Sequence, residues 1–131
     1  MSFTNDTGST IDTATLAFDG EQWRSGGAQI PVVPSPQTMV LEYGFGAAFT
    51  DVATWTAPGG NFDWTSPVLL QAGILVDGNT LGLVAGRGGA LTTLGWTAGS
   101  NLWVRWIERN DAGNDHGLAI DNFSLSTGVG P

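Results

Sequence analysis

Short runs that alternate between apolar and polar residues recur along the chain, and turns rich in glycine and proline separate them. In the run 38–45, for example, Met39, Leu41, Tyr43 and Phe45 share one parity. A period of two places such residues on one face of a β-strand. The 20 glycines and 6 prolines supply many turns, and only residues 68–75 offer even a candidate helical turn. The pattern therefore predicts an all-β domain.

The spacing of these runs also predicts the architecture. We expect about eight to ten short strands, which favours a jelly-roll β-sandwich of two antiparallel sheets. The module would span residues 1–126, with 127–131 as a linker or tail. After a short lead-in, the expected strands are 13–18, 38–45, 49–56, 69–76, 81–85, 90–96, 102–109 and 118–126, with turns at 58–60, 77–79 and 86–89.

The charge balance limits the partners. Twelve acidic residues face four arginines and no lysine, for a net charge of −8. Such a chain repels phosphate backbones, which argues against nucleic acid, and it attracts divalent cations. Cysteine is absent, and no run reaches the roughly 18 apolar residues of a membrane span. We therefore expect no membrane insertion.

The composition and the two ends of the sequence predict where the protein acts. Lysine-free acidic chains rich in Thr, Gly and Asn are typical of secreted modules. Met1 leads directly into polar residues without a signal peptide, so the chain is either cytoplasmic or cut from a longer precursor. The final residues STGVGP resemble the start of a linker. We favour a secreted module whose partners include other modules of a parent protein.

Four short motifs carry a resemblance to a known kind of module. GEQWR, WTSP, LWVRW and DHGLAIDNFSLS resemble a jelly-roll module that is appended to multidomain hydrolases and surface proteins of bacteria. A looser likeness extends to jelly-roll carbohydrate-binding modules. That likeness implies a structural calcium held by an acid near the first strand and by the Asp of a terminal strand. Glu21 and Asp121 would occupy these two positions.

The polar loop 110–117 is a second candidate calcium site. Asn110, Asp111, Asn114 and Asp115 offer side-chain oxygens, the ligands that calcium prefers. Glycines at 113 and 117 would let the chain curl around an ion. The spacing is not that of an EF-hand. The alternative is a solvated hairpin in which Asn and Asp cap the turn backbone.

Asp121 stands inside an apolar run, so we expect its carboxylate to be ion-paired, hydrogen-bonded or metal-bound. A bound cation and an ion pair with Arg24 or Arg105 are equally compatible with this position of Asp121. The apolar phase changes nearby, which predicts a bulge at 121–122 or burial on both faces. His116, the one histidine, would cap the turn or ligate a metal, and the turn role is the better prediction. Zinc would need N and S ligands that the chain lacks.

The six tryptophans predict carbohydrate binding. Sugars present apolar C–H faces and a rim of hydroxyls, so proteins hold them with exposed flat rings and polar side chains. Trp103 and Trp106 fall on opposite faces of one strand, so one should be core, while Trp23 and Trp55 are expected to be structural. We expect Trp64, Trp96 and Trp103 to form the recognition surface, although any single tryptophan could instead be core. The candidate polar partners are Asp63 and Arg87, with Gln22, Arg24 and Asn61 as further options.

We therefore expect a non-catalytic carbohydrate-binding module that takes a polysaccharide or oligosaccharide, with β-glucan favoured, and a structural calcium. The alternative is a spacer or adhesion module of a surface protein without sugar binding. Catalysis is disfavoured, because no acid stands in a recognisable glycosidase motif and no G-x-S-x-G turn exists.

Overall fold

A computed structural model describes residues 1–109 and 111–127, so Asn110 and most of the expected tail lie outside the described residues. The described part contains eight strands and two short 3-10 turns. The strands are β1 (Ser2–Thr4), β2 (Ala14–Ser25), β3 (Thr38–Phe45), β4 (Trp64–Thr65), β5 (Ile74–Leu75), β6 (Leu83–Leu91), β7 (Asn101–Glu108) and β8 (Gly117–Ser126); the 3-10 turns are Phe49–Asp51 and Gly60–Phe62. No helix in the described ranges is long and apolar enough to cross a bilayer.

The strands form two antiparallel sheets, which confirms the all-β, two-sheet prediction. In the first sheet the order is β1-β7-β3-β4. In the second, the long strand β2 is central: β6 and β5 pair with it, and so does β8. The arrangement is β-sandwich-like, and each sheet has an inner and an outer face.

The inner faces form one hydrophobic core, as the alternation predicts. On β2, Ala14, Leu16 and Phe18 are buried while Thr15 and Ala17 are exposed. Side chains of the facing sheet complete the core, among them Leu41, Leu102 and Val104. One close approach needs a glycine, because a Cβ at Gly20 would overlap the ring of Trp64. The two sheets are therefore in contact where the Trp64 indole packs directly against the backbone of Gly20.

A bulge in β8 explains the change of apolar phase near Asp121. Ala17 faces Ser124 and Asp19 faces Asp121, so β8 has one more residue than β2 between these two pairs. Asn122 adopts φ 53° there, a conformation that asparagine tolerates better than most residues. The bulge keeps four apolar side chains of β8 against the core: Leu118, Ile120, Phe123 and Leu125.

Several predicted element boundaries are wrong. Residues 49–56 form a 3-10 turn and a single bridge from Thr56 to Tyr43 instead of a strand. The glycine-rich stretch 86–89 was expected as a turn but continues β6, because its glycines pair with β2. Only Ile74–Leu75 of the run 69–76 is a strand, and the described residues 68–75 contain no helical turn.

Candidate functional site

The outer face of the first sheet carries a row of large side chains at the centre of β7. Trp103 and Arg105 alternate there with the buried residues Leu102 and Val104, so they point away from the core. In the antiparallel register, Arg105 lies opposite Glu42 of β3. The prediction that one of Trp103 and Trp106 is core is confirmed. Trp106 points inward and makes edge contacts with core phenylalanines, Phe18 at 5.4 Å and Phe123 at 5.6 Å between ring centroids.

The segment after β3 folds over this outer face. Gly44 allows the approach, because a Cβ there would overlap the side chain of Val52. The segment adds Phe49 and Trp55, whose ring centroids are 5.2 Å apart, and Phe49 meets Trp103 edge-on at 6.0 Å. We call Phe49, Trp55 and Trp103 the aromatic cluster.

The aromatic cluster is partly open to solvent. Phe49 is 47% exposed, and Trp55 and Trp103 are half-buried. The Trp103 indole is fixed in place, since its Nε1 donates to the backbone oxygen of Gly46 at 2.8 Å. The cluster thus presents apolar ring surface that is held by the sheet below it.

Arg105 joins the cluster to a carboxylate. Its guanidinium carbon lies 3.9 Å from the Trp55 ring centroid. Its Nε and Nη2 donate to Oε1 of Glu42 at 2.8 Å and 2.7 Å. A cation over an indole face and a carboxylate at its edge hold the guanidinium on two sides. The outer face therefore combines ring surface with oriented polar groups.

A shallow hollow of about 380 Å³ adjoins the cluster. Gly46, which accepts the Trp103 hydrogen bond, lines it together with Phe45, Ala47, Gly99, Ser100 and Asn101. A larger hollow of about 430 Å³ lies beside the loop 7–13, but no aromatic residue lines it. We take the smaller hollow and the aromatic cluster together as the candidate site, because Gly46 belongs to the hollow and binds Trp103.

The prediction of Trp64 and Trp96 as recognition residues is wrong. Trp64 is 3% exposed and Trp96 2% exposed, and both belong to the core. Trp64 fills the space above Gly20. The Trp96 Nε1 donates to the backbone oxygen of Ser100 at 2.9 Å. Neither ring can present a face to a polysaccharide, whereas Trp103 does reach the surface.

The predicted polar partners Asp63 and Arg87 are brought together, but away from the aromatic cluster. The guanidinium of Arg87 donates to the backbone oxygen of Asp63, next to the buried Trp64. Asn61 donates to the backbone of Gly86 and Gly88, at 3.0 Å each. These contacts fix the loop 60–63 against β6, which is a structural role.

The environments expected for Asp121 and Glu21 are partly wrong. Asp121 is exposed, because the bulge turns it outward, and its Oδ1 accepts from the backbone N–H of Asn122 at 2.8 Å. Its cross-strand neighbour is another acid, Asp19. The Asn122 side chain donates to Asp19 at 2.8 Å, which lowers the pKa of Asp19.

Glu21 is buried and accepts from the Trp23 indole at 3.0 Å. Neither predicted arginine pairs with Glu21 or Asp121: Arg105 binds Glu42, and Arg24 reaches a backbone oxygen of Gly73.

Two of the four candidate calcium ligands in the loop after β7 form hydrogen bonds with the backbone instead. Asp111 Oδ2 accepts from the Thr38 N–H at 2.7 Å, and the Asn114 amide donates to the backbone of Gly26 and Gly27. Asp115 is exposed. Burial raises the pKa of Glu108, and the charges of Asp115 and Asp111 raise it further. Within residues 1–109 and 111–127, no group of three or more His, Cys, Asp or Glu is arranged to hold a metal. Calcium therefore stays a prediction.

His116 has a role that the sequence did not suggest. It is buried between the sheets, where its Nδ1 lies 2.8 Å from Ser66 Oγ and 3.2 Å from Gln22 Nε2. These contacts place the ring in a buried polar cluster with a hydroxyl and an amide. Burial lowers the pKa of His116, while Asp115 acts in the opposite direction. The ring is a structural hydrogen-bond centre, not a turn cap.

Four residues of the candidate site were missed: Glu42, Phe49, Trp55 and Arg105. Alternation already placed Glu42 opposite the apolar face of its strand, and Arg105 shares parity with Trp103. Phe49 and Trp55 carried no such signal, because their segment is not a strand. Comparisons of the chain with protein-family models, curated proteins and solved structures gave no match.

Proposed function

We propose that the protein is a non-catalytic carbohydrate-binding module that takes its ligand on the aromatic cluster. One observation carries the proposal: partly exposed rings lie beside an oriented guanidinium and carboxylate on a regular sheet face. Ring faces suit the apolar C–H faces of sugars, and polar side chains beside them suit hydroxyls. The adjoining hollow gives a chain of sugars room to continue.

The favoured ligand is a β-glucan type of polysaccharide, and the favoured setting is a secreted parent protein with a jelly-roll module. An extended β-linked chain would lie along the row formed by Trp103 and Arg105. Structural calcium is part of this proposal, with the carboxylates of Asp111 and Asp115 in the loop after β7 as its candidate ligands.

Affinity electrophoresis against β-glucan, xylan and mannan tests the proposal. We expect retardation of the native protein by at least one of these polysaccharides and loss of retardation in Phe49→Ala. Leu75→Ala is the matched control, because it removes an exposed apolar side chain from the second sheet. Equal mobility of the native protein in all gels would refute the proposal.

An exposed apolar surface favours a second candidate, a spacer or adhesion module that packs against another copy. The exposed surface is formed by the segments 28–33 and 69–75. A hydrogen bond joins the two segments, from the backbone N–H of Ala28 to the backbone oxygen of Gln71 at 2.9 Å. Neither segment contains a charged residue, so two copies of a strongly acidic chain could meet there without repulsion. Its exposed aliphatic side chains are Ile30, Val32, Val33, Leu69, Leu70, Ile74 and Leu75.

Sedimentation velocity over a range of concentrations tests this second candidate. Self-association that Leu75→Glu abolishes and Ile107→Glu leaves intact would support it, since Ile107 is an exposed apolar residue on the other sheet. A monomer at every concentration would refute it.

A further inference from the structure

The arrangement of Glu42 and Arg105 bears on the charge of the ligand. They face each other across β3 and β7 on the outer side of the first sheet. Both hydrogen bonds of the pair, from Nε and Nη2, end on the same oxygen, Oε1 of Glu42. The Nε–Nη2 edge of the guanidinium, one of the two edges that can donate to a ligand carboxylate in a fork, is therefore already occupied by Glu42.

Arg105 is also held in place from the aromatic side. It stacks on Trp55 and lies 6.0 Å from the Phe49 ring centroid. If its guanidinium turned toward an anionic ligand, Arg105 would lose both the contact with the Trp55 ring and the hydrogen bonds to Glu42. The cation of this site is thus fixed as a partner of Glu42.

Cations are scarce in this chain, and two of the other three arginines lie on strands of the second sheet. The chain has four arginines and no lysine. Arg24 reaches Gly73 near β5, and Arg87 binds the loop 60–63. An acidic sugar on the aromatic cluster would meet a neutralised guanidinium on a protein of net charge −8, and like charges placed together at an interface are disfavoured.

We infer that Glu42 is a specificity-determining residue that restricts the aromatic cluster to neutral glycans by neutralising Arg105. This inference rests on the proposed function. Removal of the Glu42 charge would leave Arg105 as an uncompensated cation over the rings, and uronic acid polymers would then become ligands.

The test uses pairs of glycans that differ only at C6. The probes are cellohexaose and its C6-carboxylate form, and mannohexaose and the mannuronate hexamer. Titration calorimetry compares the native protein, Glu42→Gln, and the control Asp77→Asn. The control removes one negative charge from the turn 77–80 after β5, where the Asp77 side chain accepts from the Asn79 N–H.

We expect the native protein to bind the neutral member of a pair at least tenfold more tightly, and Glu42→Gln to reduce that ratio by about tenfold. Asp77→Asn should leave it unchanged. High salt should weaken the discrimination of the native protein, because it screens the repulsion. If Glu42→Gln does not fold, the same comparison is made with Glu42→Ala.

The outcomes separate the two claims. If the proteins bind neutral glycans but all three show the same ratio of affinities for the neutral and carboxylate forms, the role of Glu42 is overturned and the proposed function stands. Tighter binding of the carboxylate forms by the native protein has the same consequence. Failure of the native protein to bind any neutral glycan, including the polysaccharides used in electrophoresis, overturns the proposed function and this inference with it.

Discussion

The guanidinium carbon of Arg105 lies 3.9 Å from the centroid of the Trp55 ring, although Trp55 belongs to an irregular segment and Arg105 to a regular strand. This contact ties the segment 46–56 to the sheet. Phe49 adds a further ring contact, and Glu42 fixes the far edge of the guanidinium. The aromatic cluster is consequently an assembled surface and not three independent rings.

A double-mutant cycle with Arg105→Met and Trp55→Leu measures that tie. We expect a coupling free energy of about 0.5 to 1 kcal/mol in urea unfolding, the usual range for a partly exposed cation–π contact. The ion pair with Glu42 is partly exposed, so it should add little more. Strictly additive effects of the two substitutions would show that the contact contributes nothing.

The close contact between Gly20 and Trp64 predicts a specific sensitivity of the core. Gly20→Ala should lower the free energy of unfolding by about 1 to 3 kcal/mol, since the added methyl overlaps the indole. Trp64→Phe in the same chain should recover part of this loss, because the smaller ring leaves room. Denaturant unfolding of the two single variants and the double variant checks this. Full additivity would contradict it.

His116 predicts a pH dependence of stability. Its pKa in the folded chain is lowered below the ordinary value of 6.5, so the unfolded chain binds a proton more readily. The histidine contribution is fully present above pH 6.5 and is lost as the pH falls through the folded-state pKa. Glu108 acts in the opposite direction at lower pH, because its raised pKa favours protonation in the folded chain.

Unfolding midpoints of the native protein and His116→Gln, measured from pH 7.5 down to about pH 5.5, separate the two groups. His116 is the one histidine of the chain, so its replacement should remove the loss of stability just below pH 6.5. A slope that is the same in both proteins would assign the effect elsewhere.

Calcium should raise the melting temperature if the carboxylates of Asp111 and Asp115 hold it. We expect millimolar calcium to increase the Tm relative to EDTA, with a smaller increase in Asp115→Asn. Asp6→Asn is the control for the charge itself, since Asp6 is an exposed acid in the loop after β1. A Tm that does not respond to calcium or EDTA would refute the calcium prediction.

The regular parts of the fold could be read from the sequence because alternation fixes which face a strand residue occupies. Thr38–Phe45 is a strand with the predicted bounds, and the bulge near Asp121 follows from the change of apolar parity. Trp103 could be placed outside and Trp106 inside for the same reason, once one face was known to be core.

The remainder depended on contacts between distant parts of the chain. Trp64 is buried because β4 lies beside β3 and Gly20 of the other sheet leaves space for its ring. Phe49 and Trp55 reach the outer face because Gly44 admits Val52. No local pattern in the sequence contains these relationships, so the predicted recognition surface contained two core tryptophans and lacked Phe49 and Trp55.

Carbohydrate binding on the aromatic cluster is tested most directly by a nuclear magnetic resonance titration that follows the six indole N–H signals during addition of cellohexaose, mannohexaose or xylohexaose. We expect one of these sugars to shift the signals of Trp55 and Trp103, while those of the core residues Trp64 and Trp96 stay in place. Absence of any shift with all three, or shifts confined to tryptophans outside the aromatic cluster, would contradict this prediction.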